Sequence, residues 1–366
     1  MTAAATLASP PPATGKAAAR PPVQRKYSKS SAFYRHAKSD YIEQNARLLA
    51  EELGRNRVYT EQPLRRGCKI CGTAMPEAAD FSSHGVDYKL CRGCGHLNGR
   101  HEETQAFVDA LYVGDGVAQY ATDYLDDNFA RRTSDIYRPK AEFLRDSLGG
   151  ASLKVLDVGC GSGYFVHACH QLGMQARGVD VSREMVDFGN RQIVHLGGSA
   201  ALRHVQPHDF VAQVVDTDAD VVSAIGVIEH LQNPHELFAA FGRSQASVLY
   251  YSVPMFSSSV LFENLFKDVY PRQLAGGHTH LFTETSLERM HLLCGVEPVA
   301  EWRFGADMLD LHRAMRAGLA ANGASAALLD VFEAGFGRQI DEMQACLDRA
   351  HFCSEIHCVA RKRVPG

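Results

Sequence analysis

The sequence lacks the features that would place the protein in a membrane. No apolar run approaches the roughly 20 residues needed to cross a bilayer, and no apolar signal segment follows the first residues. We therefore expect a soluble, cytoplasmic protein with no membrane partner.

A strong charge of one sign is also missing. The 38 basic and 42 acidic side chains leave a formal net charge of −4. Nucleic-acid-binding domains usually carry a clear positive excess, so this balance argues against nucleic acid as the substrate.

The N-terminal part of the chain has no acidic residue before Asp40 and is dominated at first by Ala, Pro and Thr. Such a composition cannot bury a core, so we expect residues 1–38 to form a disordered basic tail. An organelle transit peptide would also be basic, but this stretch lacks an amphipathic helix. Apolar spacing from Ser39 to Leu53 predicts a short helix that packs on another part of the protein or on a partner in a homodimer.

Four of the ten cysteines form two C-x-x-C pairs, each followed by glycine. Two such turns can direct four thiolates at one tetrahedral centre, which is typical of a structural zinc site. The candidate ligands are Cys68, Cys71, Cys91 and Cys94. Strand-forming residues between the pairs predict a hairpin, so residues 39–103 are expected to form an N-terminal helix and a zinc-ribbon module. His96 and His101 are alternative ligands, although a position beside the site is favoured.

Residues 155–165 read Val-Leu-Asp-Val-Gly-Cys-Gly-Ser-Gly-Tyr-Phe and predict a buried strand, a glycine loop and the start of a helix. At Gly159, Gly161 and Gly163 the backbone can approach a ligand closely, beside a helix N-terminus. The fingerprint for dinucleotides requires a small residue where this chain has Tyr164, so a pyrophosphate is disfavoured.

Two acidic residues indicate what the loop binds. Asp157 lies on the strand just before the loop, where it would repel phosphates and suit a ligand with an ammonium group. Asp180 ends a second predicted strand about twenty residues later, where a carboxylate accepts hydrogen bonds from ribose hydroxyls. Together they favour an adenosine that carries an amino acid.

Three motifs occur in the order found in a known family: Leu156 to Gly163, then Gly178-Val-Asp180, then Gly226-Val-Ile-Glu229-His230. Over roughly residues 105 to 362 the chain resembles the Rossmann-like S-adenosylmethionine-dependent methyltransferases, and with its cysteine-rich module it is similar to bacterial sugar and small-molecule methyltransferases. The resemblance implies S-adenosylmethionine as cofactor.

The same resemblance implies roles for two further residues. In similar enzymes an acid at the position of Asp209 binds the adenine amino group, although Asp209 is equally a candidate helix cap. Tyrosines just before the first strand contact cofactor or substrate in related enzymes, and Tyr120 and Tyr124 are the candidates here.

The remaining pattern predicts an α/β fold, with a seven-stranded doubly wound Rossmann-like sheet in a methyltransferase domain at residues 104–366. A lid insertion is expected at residues 254–282 and a C-terminal helical insertion at residues 306–350. The predicted strands lie near 153–158, 175–180, 201–205, 219–225, 247–253, 297–304 and 355–361.

Candidate catalytic residues follow two of these strands. Glu229 and His230 lie after the fourth strand, whose end faces the methyl group in such a fold, and a neutral imidazole can accept the proton of a hydroxyl group. A capping role in the turn is the alternative. His278 and His280 alternate, so they point the same way on an extended segment. They are either a base with its orienting partner or a metal pair that lacks further ligands. The segment is similar to the Gly-His-x-His-Leu-Phe-Thr stretch of sugar and small-molecule methyltransferases, and this resemblance favours a role in a substrate pocket over metal binding.

The leading hypothesis is transfer of a methyl group to a hydroxyl, with less support for carbon or nitrogen. The expected substrate is a sugar-like or other polar small metabolite, for example a nucleotide-linked sugar. One alternative is a nucleic-acid or protein methyltransferase recruited through the zinc ribbon, although an amino-methylation motif of the Asn/Asp-Pro-Pro-Tyr type is missing. Another is a zinc-containing module that binds S-adenosylmethionine without catalysis.

Overall fold

The structure is a computed structural model that describes residues 22–32, 44–112, 129–150, 152–275 and 277–363. The candidate cofactor contacts Tyr120 and Tyr124 lie outside the described residues, and so does most of the predicted tail. Within the described ranges the strands form two sheets, one of eight strands and one of four. The strands are β1 (Gln24–Tyr27), β2 (Phe81–Ser83), β3 (Val86–Leu90), β4 (Leu97–Gly99), β5 (Lys154–Val158), β6 (Gln175–Asp180), β7 (Leu202–His204), β8 (Val221–Ile225), β9 (Val248–Pro254), β10 (His280–Leu281), β11 (Val296–Phe304) and β12 (Glu355–Lys362).

Helices cover both sheets. None of those in the described ranges has the length and apolar character needed to cross a membrane. They are α1 (Asn45–Thr60), α2 (Gln105–Tyr112), α3 (Phe129–Arg132), α4 (Arg138–Ser147), α5 (Tyr164–Gln171), α6 (Arg183–His195), α7 (Phe210–Val215), α8 (Pro234–Arg243), α9 (Ser258–Leu265), α10 (Glu284–Cys294), α11 (Asp307–Ala321), α12 (Ala326–Gly335) and α13 (Ile340–Arg349). A π-helical turn, Thr133–Tyr137, joins α3 to α4.

The large sheet has the strand order β1-β11-β12-β9-β8-β5-β6-β7. Strand β5 pairs in parallel with both β6 and β8, so the chain first proceeds outward through β6 and β7 and then returns to the other side of β5. The carboxyl ends of β5 and β8 therefore flank the point where the strand order reverses. Open α/β sheets bind their ligands at this point.

The central strands consist of continuous apolar runs. Every residue of β9 is buried, and so are four of the five residues of β8. Parallel strands with both faces covered require such runs rather than alternation of polar and apolar residues. For this reason the predicted strands agree with β5 to β9, β11 and β12 to within two residues at each end, and the predicted Rossmann-like fold is confirmed.

The prediction of seven strands is one strand short, because β1 pairs in parallel with β11 at the edge of the sheet. The Nζ atom of Lys26 lies 3.8 Å from the centroid of the Trp302 ring, and Trp302 Nε1 donates a hydrogen bond to the carbonyl of Ser28 at 3.0 Å. The predicted disorder of the tail is therefore wrong for residues 24–27. Polar side chains on an edge strand carry no apolar pattern that would reveal the strand in the sequence.

The predicted helix at 39–53 ends later than expected, since α1 continues to Thr60, and residues 39–43 lie outside the described residues. Tyr59 near its end is buried, and its hydroxyl donates to the carbonyl of His101 at 2.6 Å. Tyr59 also packs 5.2 Å from the ring of Phe107. These contacts with His101 and Phe107 fix the end of the helix beyond its apolar repeat.

The small sheet has the order β10-β4-β3-β2 and contains the predicted hairpin, β2 and β3. Strand β10 belongs to the predicted lid at 254–282, yet it pairs antiparallel with β4 of the cysteine-containing part. At the base of the insertion, the amide of Phe256 donates to the carbonyl of Phe282 at 2.7 Å. The insertion therefore joins the small sheet to the large one.

The helical insertion at 306–350 consists of α11, α12 and α13, and one buried carboxylate connects it to its neighbours. Asp307 accepts hydrogen bonds from the amide and hydroxyl of Ser259 at 3.0 and 2.9 Å. It also accepts from Gln344 Nε2 and from the amide of Ser354, each at 3.1 Å. Asp307 thus holds together α9, α11, α13 and the start of β12.

We expect Asp307→Ala to lower the free energy of unfolding by at least about 3 kcal/mol, because several buried donors lose their acceptor. Asp330→Ala, at an exposed position in α12, should change it by less than about 0.5 kcal/mol. Urea denaturation of both variants measures the difference. Equal stability of the two variants would show that the buried hydrogen bonds do not hold the insertion.

Candidate functional site

The glycine loop follows β5 and leads into α5, as predicted. Gly159, Gly161 and Gly163 have φ angles of +69°, +52° and +74°, which residues with a side chain rarely adopt. A Cβ atom at Gly159 would lie 2.6 Å from Val227, and one at Gly163 would lie 2.6 Å from Leu202. At Gly161 the nearest such neighbour is 3.8 Å away. Internal packing therefore requires two of the glycines, whereas Gly161 borders space that a ligand can occupy.

Asp180 and Asp157 are buried beside this loop. Asp180 accepts hydrogen bonds from the amides of Gly161 at 2.7 Å and Ser182 at 2.8 Å, and burial raises its pKa. Asp157 accepts a hydrogen bond from the hydroxyl of Ser223 at 2.6 Å, and burial raises its pKa to about 7. Neither carboxyl group has an ion-pair partner among the described residues, so a ligand with a cationic group and hydroxyl donors would suit this place.

Tyr164, where a dinucleotide site would need a small residue, is buried at the start of α5. Its ring stacks on Phe129 with centroids 4.6 Å apart and on Tyr137 with centroids 5.2 Å apart. The large side chain is thus used to fix the helical segment 129–147 on the glycine loop.

Asp209 ends a short 3₁₀ turn, Pro207–Asp209, that follows β7. Its side chain is 53% exposed and makes no capping hydrogen bond to α7 within the described structure. Asp209 thus occupies the N-cap position of α7 without capping through its side chain, and contact with adenine stays a prediction.

Glu229 and His230 lie in a 3₁₀ turn, Ile228–His230, just after β8. Glu229 is 4% exposed, and its Oε2 atom has no hydrogen-bond partner in the described part of the chain. Burial raises the pKa of Glu229 to about 8, while burial and the neighbouring His278 hold the pKa of His230 well below its ordinary value. His230 is therefore a neutral imidazole at physiological pH.

His278 approaches this turn from the segment before β10. The ring centroids of His278 and His230 are 5.2 Å apart. His278 Nδ1 lies 3.1 Å from the carbonyl of Gln273, and a carbonyl only accepts, so Nδ1 carries the proton and Nε2 the lone pair. Glu229, His230 and His278 each place one potential ligand atom within 4.8 Å of the others. The structure thus brings three of the four predicted catalytic residues together.

His280, the fourth candidate, has both ring nitrogens in hydrogen bonds. Its Nε2 donates to the carbonyl of Glu229 at 2.8 Å, and its Nδ1 accepts from Nε2 of His96 at 2.8 Å. His96 Nδ1 in turn lies 3.3 Å from the hydroxyl of Ser286. His280 therefore has no nitrogen available for proton transfer and instead positions the Glu229 turn.

The four predicted zinc ligands form one cluster. The sulfur atoms of Cys68 and Cys94 are 3.7 Å apart, and those of Cys71 and Cys91 are 3.4 Å apart. Four sulfurs bound tetrahedrally at 2.3 Å would be about 3.8 Å apart, so the donor set fits zinc without rearrangement. His101, an alternative ligand from the sequence, does not belong to this group of neighbouring ligand atoms in the described residues.

A buried group of charges next to this cluster was not apparent from the sequence. Glu103 contacts the guanidinium of Arg65, the hydroxyl of Thr279 and, at 3.1 Å, Nζ of Lys69. It thereby connects the first cysteine turn to the segment that carries His278 and His280. The four residues have no motif spacing, so only the fold could reveal them.

Lys140 and Glu355 were also missed. Nζ of Lys140 lies 4.0 Å from Glu355, which accepts a hydrogen bond from Nε2 of His357 at 2.8 Å. The charge of Lys140 partly offsets the effect of burial on the pKa values of Asp157 and Glu229. A buried lysine before the glycine-loop strand thus contributes to the electrostatics of both halves of the site.

A glycine loop at the end of a central parallel strand, with a buried acid at the end of the next strand, defines a Rossmann-like domain that binds an adenosine-type ligand without a pyrophosphate. Residues 120–301, about half of the chain, match a family model described as a methyltransferase domain. Through this domain the chain belongs to the methyltransferases, as the sequence motifs predict.

Curated relatives match over short stretches. A ubiquinone biosynthesis O-methyltransferase of Thiobacillus denitrificans is 31% identical over 93 residues, which are 25% of this chain and 40% of that protein. Its counterpart from Methylococcus capsulatus is 25% identical over 139 residues, or 37% of this chain and 58% of that protein. The chain thus spans roughly half the length of these relatives. Among solved structures, magnesium protoporphyrin IX methyltransferase from Synechocystis has 12% identity, a TM-score of 0.46 and coverage of 71% of this chain and 100% of that one.

The different environments of Gly161 and Gly163 predict different effects of alanine. Gly161→Ala and Gly163→Ala both place a side chain at positive φ, which costs about 1–2 kcal/mol. Gly163→Ala also forces a Cβ against Leu202, so we expect it to lose a further 1–3 kcal/mol, roughly, of unfolding free energy. Chemical denaturation compares the two variants. A Gly161→Ala protein as unstable as Gly163→Ala would contradict the open space at Gly161.

Proposed function

We propose that the protein transfers a methyl group from S-adenosylmethionine to a hydroxyl oxygen of a polar small molecule such as a sugar. The proposal rests on the residues that lie at the point where the strand order reverses, between β5 and β8. The open space at Gly161, flanked by Asp157 and Asp180, lies at the end of β5, and the cluster containing His230 and His278 follows the adjacent strand β8.

The residues beside the glycine loop fit this cofactor. Asp180 would accept hydrogen bonds from the ribose hydroxyls, Asp157 would face the ammonium group, and Asp209 would contact the adenine amino group. When bound, S-adenosylmethionine would supply a methyl group whose carbon–sulfur bond breaks, the electron pair staying on sulfur, as a carbon–oxygen bond forms. Because Asp157 is buried without an ion pair in the described structure, an ammonium group would lower its pKa and gain binding energy.

Transfer to oxygen also requires that the hydroxyl proton leave. His230 and His278 are the candidates near β8, since each imidazole lies beside Glu229 in the same cluster and His280 is committed to other hydrogen bonds. Support for oxygen as the acceptor comes from the matched relatives, whose names describe O-methyltransferases. Support for a sugar-like substrate comes from the resemblance of the cysteine module and the His278–Phe282 stretch to sugar methyltransferases.

The cysteine cluster would hold a structural zinc ion. All four coordination positions would be taken by sulfur, so the ion would have no position for substrate or water. Its role would be to fix the two cysteine turns, and through them β4 and β10, against the large sheet.

The function is tested by incubating the protein with S-adenosylmethionine labelled in the methyl group and a panel of nucleotide-linked sugars and other polar hydroxyl compounds. We expect Asp180→Asn to weaken cofactor binding by about 10- to 100-fold in calorimetry, because a charge-assisted hydrogen-bond acceptor is lost. Asp187→Asn, an exposed acid on α6, is the matched control and should bind as the wild type does. If wild-type protein shows no heat of binding at millimolar cofactor, the proposal fails.

Zinc is tested separately by elemental analysis of the purified protein. We expect about one zinc ion at the cysteine cluster per chain, and its loss in Cys91→Ser together with a lower melting temperature. Cys346→Ser, at an exposed cysteine outside the cluster, should keep the metal and the stability. Equal zinc contents in the two variants would refute the assignment.

A further inference from the structure

We propose that Glu229, His230 and His278 bind a divalent cation of the first transition series, distinct from zinc at the cysteine cluster. The existence of this site is independent of the proposed methyl transfer, but its role in that reaction rests on the proposed function.

The geometry of the three side chains is that of a metal site whose ligands have not yet closed on an ion. One carboxylate oxygen and two imidazole nitrogens lie within 4.8 Å of one another, and Nε2 of His230 is 4.0 Å from Oε1 of Glu229. Ligand atoms on a common cation with bonds of about 2.1 Å are separated by roughly 3 to 4 Å. Small rotations of the side chains would close the difference.

A second observation indicates that the cluster awaits a ligand. Oε2 of Glu229 is buried and makes no hydrogen bond within the described residues, although a buried polar atom without a partner costs about 1–3 kcal/mol. Oε1 of the same carboxylate lies 4.0 Å from Nε2 of His230, so a cation bound by both oxygens of Glu229 would also supply the missing partner of Oε2. Simple capping of the turn leaves this oxygen unexplained.

The surroundings orient the cluster in the way that metal sites usually require. Nδ1 of His278 lies 3.1 Å from the carbonyl of Gln273, so this nitrogen carries the proton and Nε2 is the nitrogen that would bind a cation. Metal-binding histidines commonly donate their second N–H to a carbonyl in this manner. The turn that carries Glu229 is held by the hydrogen bond from His280 to its carbonyl. Hydrogen bonds thus hold the His278 ring and the backbone of Glu229, and the small rotations needed are left to the side chains of Glu229 and His230.

Two imidazoles and one carboxylate suit Mn²⁺, Fe²⁺, Co²⁺ or Zn²⁺ better than they suit Ca²⁺, which prefers oxygen ligands. Three protein ligands leave coordination positions open, unlike the four sulfurs of the cysteine cluster. In the proposed reaction an acceptor hydroxyl would occupy an open position, where the cation would lower its pKa. With the ion bound, His230 and His278 would be ligands, and the hydroxyl proton would pass to solvent water instead of to either imidazole.

The test uses the full chain with one zinc ion at the cysteine cluster, into which Mn²⁺ is titrated while free Mn²⁺ is measured by electron paramagnetic resonance. Thiolate sites bind Mn²⁺ poorly, so this probe distinguishes the two clusters. We expect the wild type to bind one Mn²⁺ per chain. The affinity for Mn²⁺ should be at least 10-fold weaker in each of the variants Glu229→Gln, His230→Asn and His278→Ala. His195→Ala, at an exposed histidine on α6, should leave binding unchanged.

Thermal unfolding confirms that each variant is folded before it is compared. No bound Mn²⁺ in the wild type, together with a zinc content no higher than one per chain, would overturn the proposal, as would unchanged binding in all three variants. A second zinc in the wild type that Glu229→Gln removes would support the site with another cation. The Mn²⁺ titration contains neither cofactor nor methyl acceptor. A failure to detect methyl transfer would therefore not contradict Mn²⁺ binding, and a failure to bind Mn²⁺ would not contradict cofactor binding.

Discussion

The hydrogen-bonded series His96, His280 and Glu229 is the contact on which the rest of the site depends. Nε2–H of His96 donates to His280, and Nε2–H of His280 donates to the Glu229 carbonyl. His96 directly precedes β4 of the small sheet, His280 begins β10 in the insertion after β9, and Glu229 lies in the turn after β8. Two hydrogen bonds of 2.8 Å therefore fix the relative positions of three segments that are distant in sequence. All three residues are buried, so water cannot replace these bonds without opening the structure.

This arrangement gives the cysteine module a structural role at the site. The module lies next to the large sheet, since Nε2 of His235 at the start of α8 is 3.1 Å from the carbonyl of Lys69 in the first cysteine turn. Glu103 links the same turn to Thr279, between the two histidines of the insertion. A metal held by four sulfurs would thus stiffen the segment that carries His278 and His280 without taking part in chemistry.

Much of the fold was predictable because it depends on local patterns. Apolar runs revealed the strands of the large sheet, and C-x-x-C-Gly spacing revealed both cysteine turns, where Gly72 and Gly95 adopt positive φ. What depends on long-range packing was not predictable. The sequence shows that His278 and His280 alternate, but not that one meets His230 and the other His96. Likewise, the sequence shows that Ser223 is a polar residue in an apolar strand, but not that its hydroxyl donates a hydrogen bond to Asp157.

Strand β1 gives the chain a particular order of assembly. It pairs with β11, and the hydrogen bond between Trp302 and Ser28 joins residues 274 positions apart. Closing so long a loop is entropically costly, and during synthesis β1 emerges long before the strand it needs. The edge of the sheet can therefore be completed only after β11 has been made. Pairing with β1 then covers the outer edge of β11, whose backbone groups would otherwise be open to pairing with other chains.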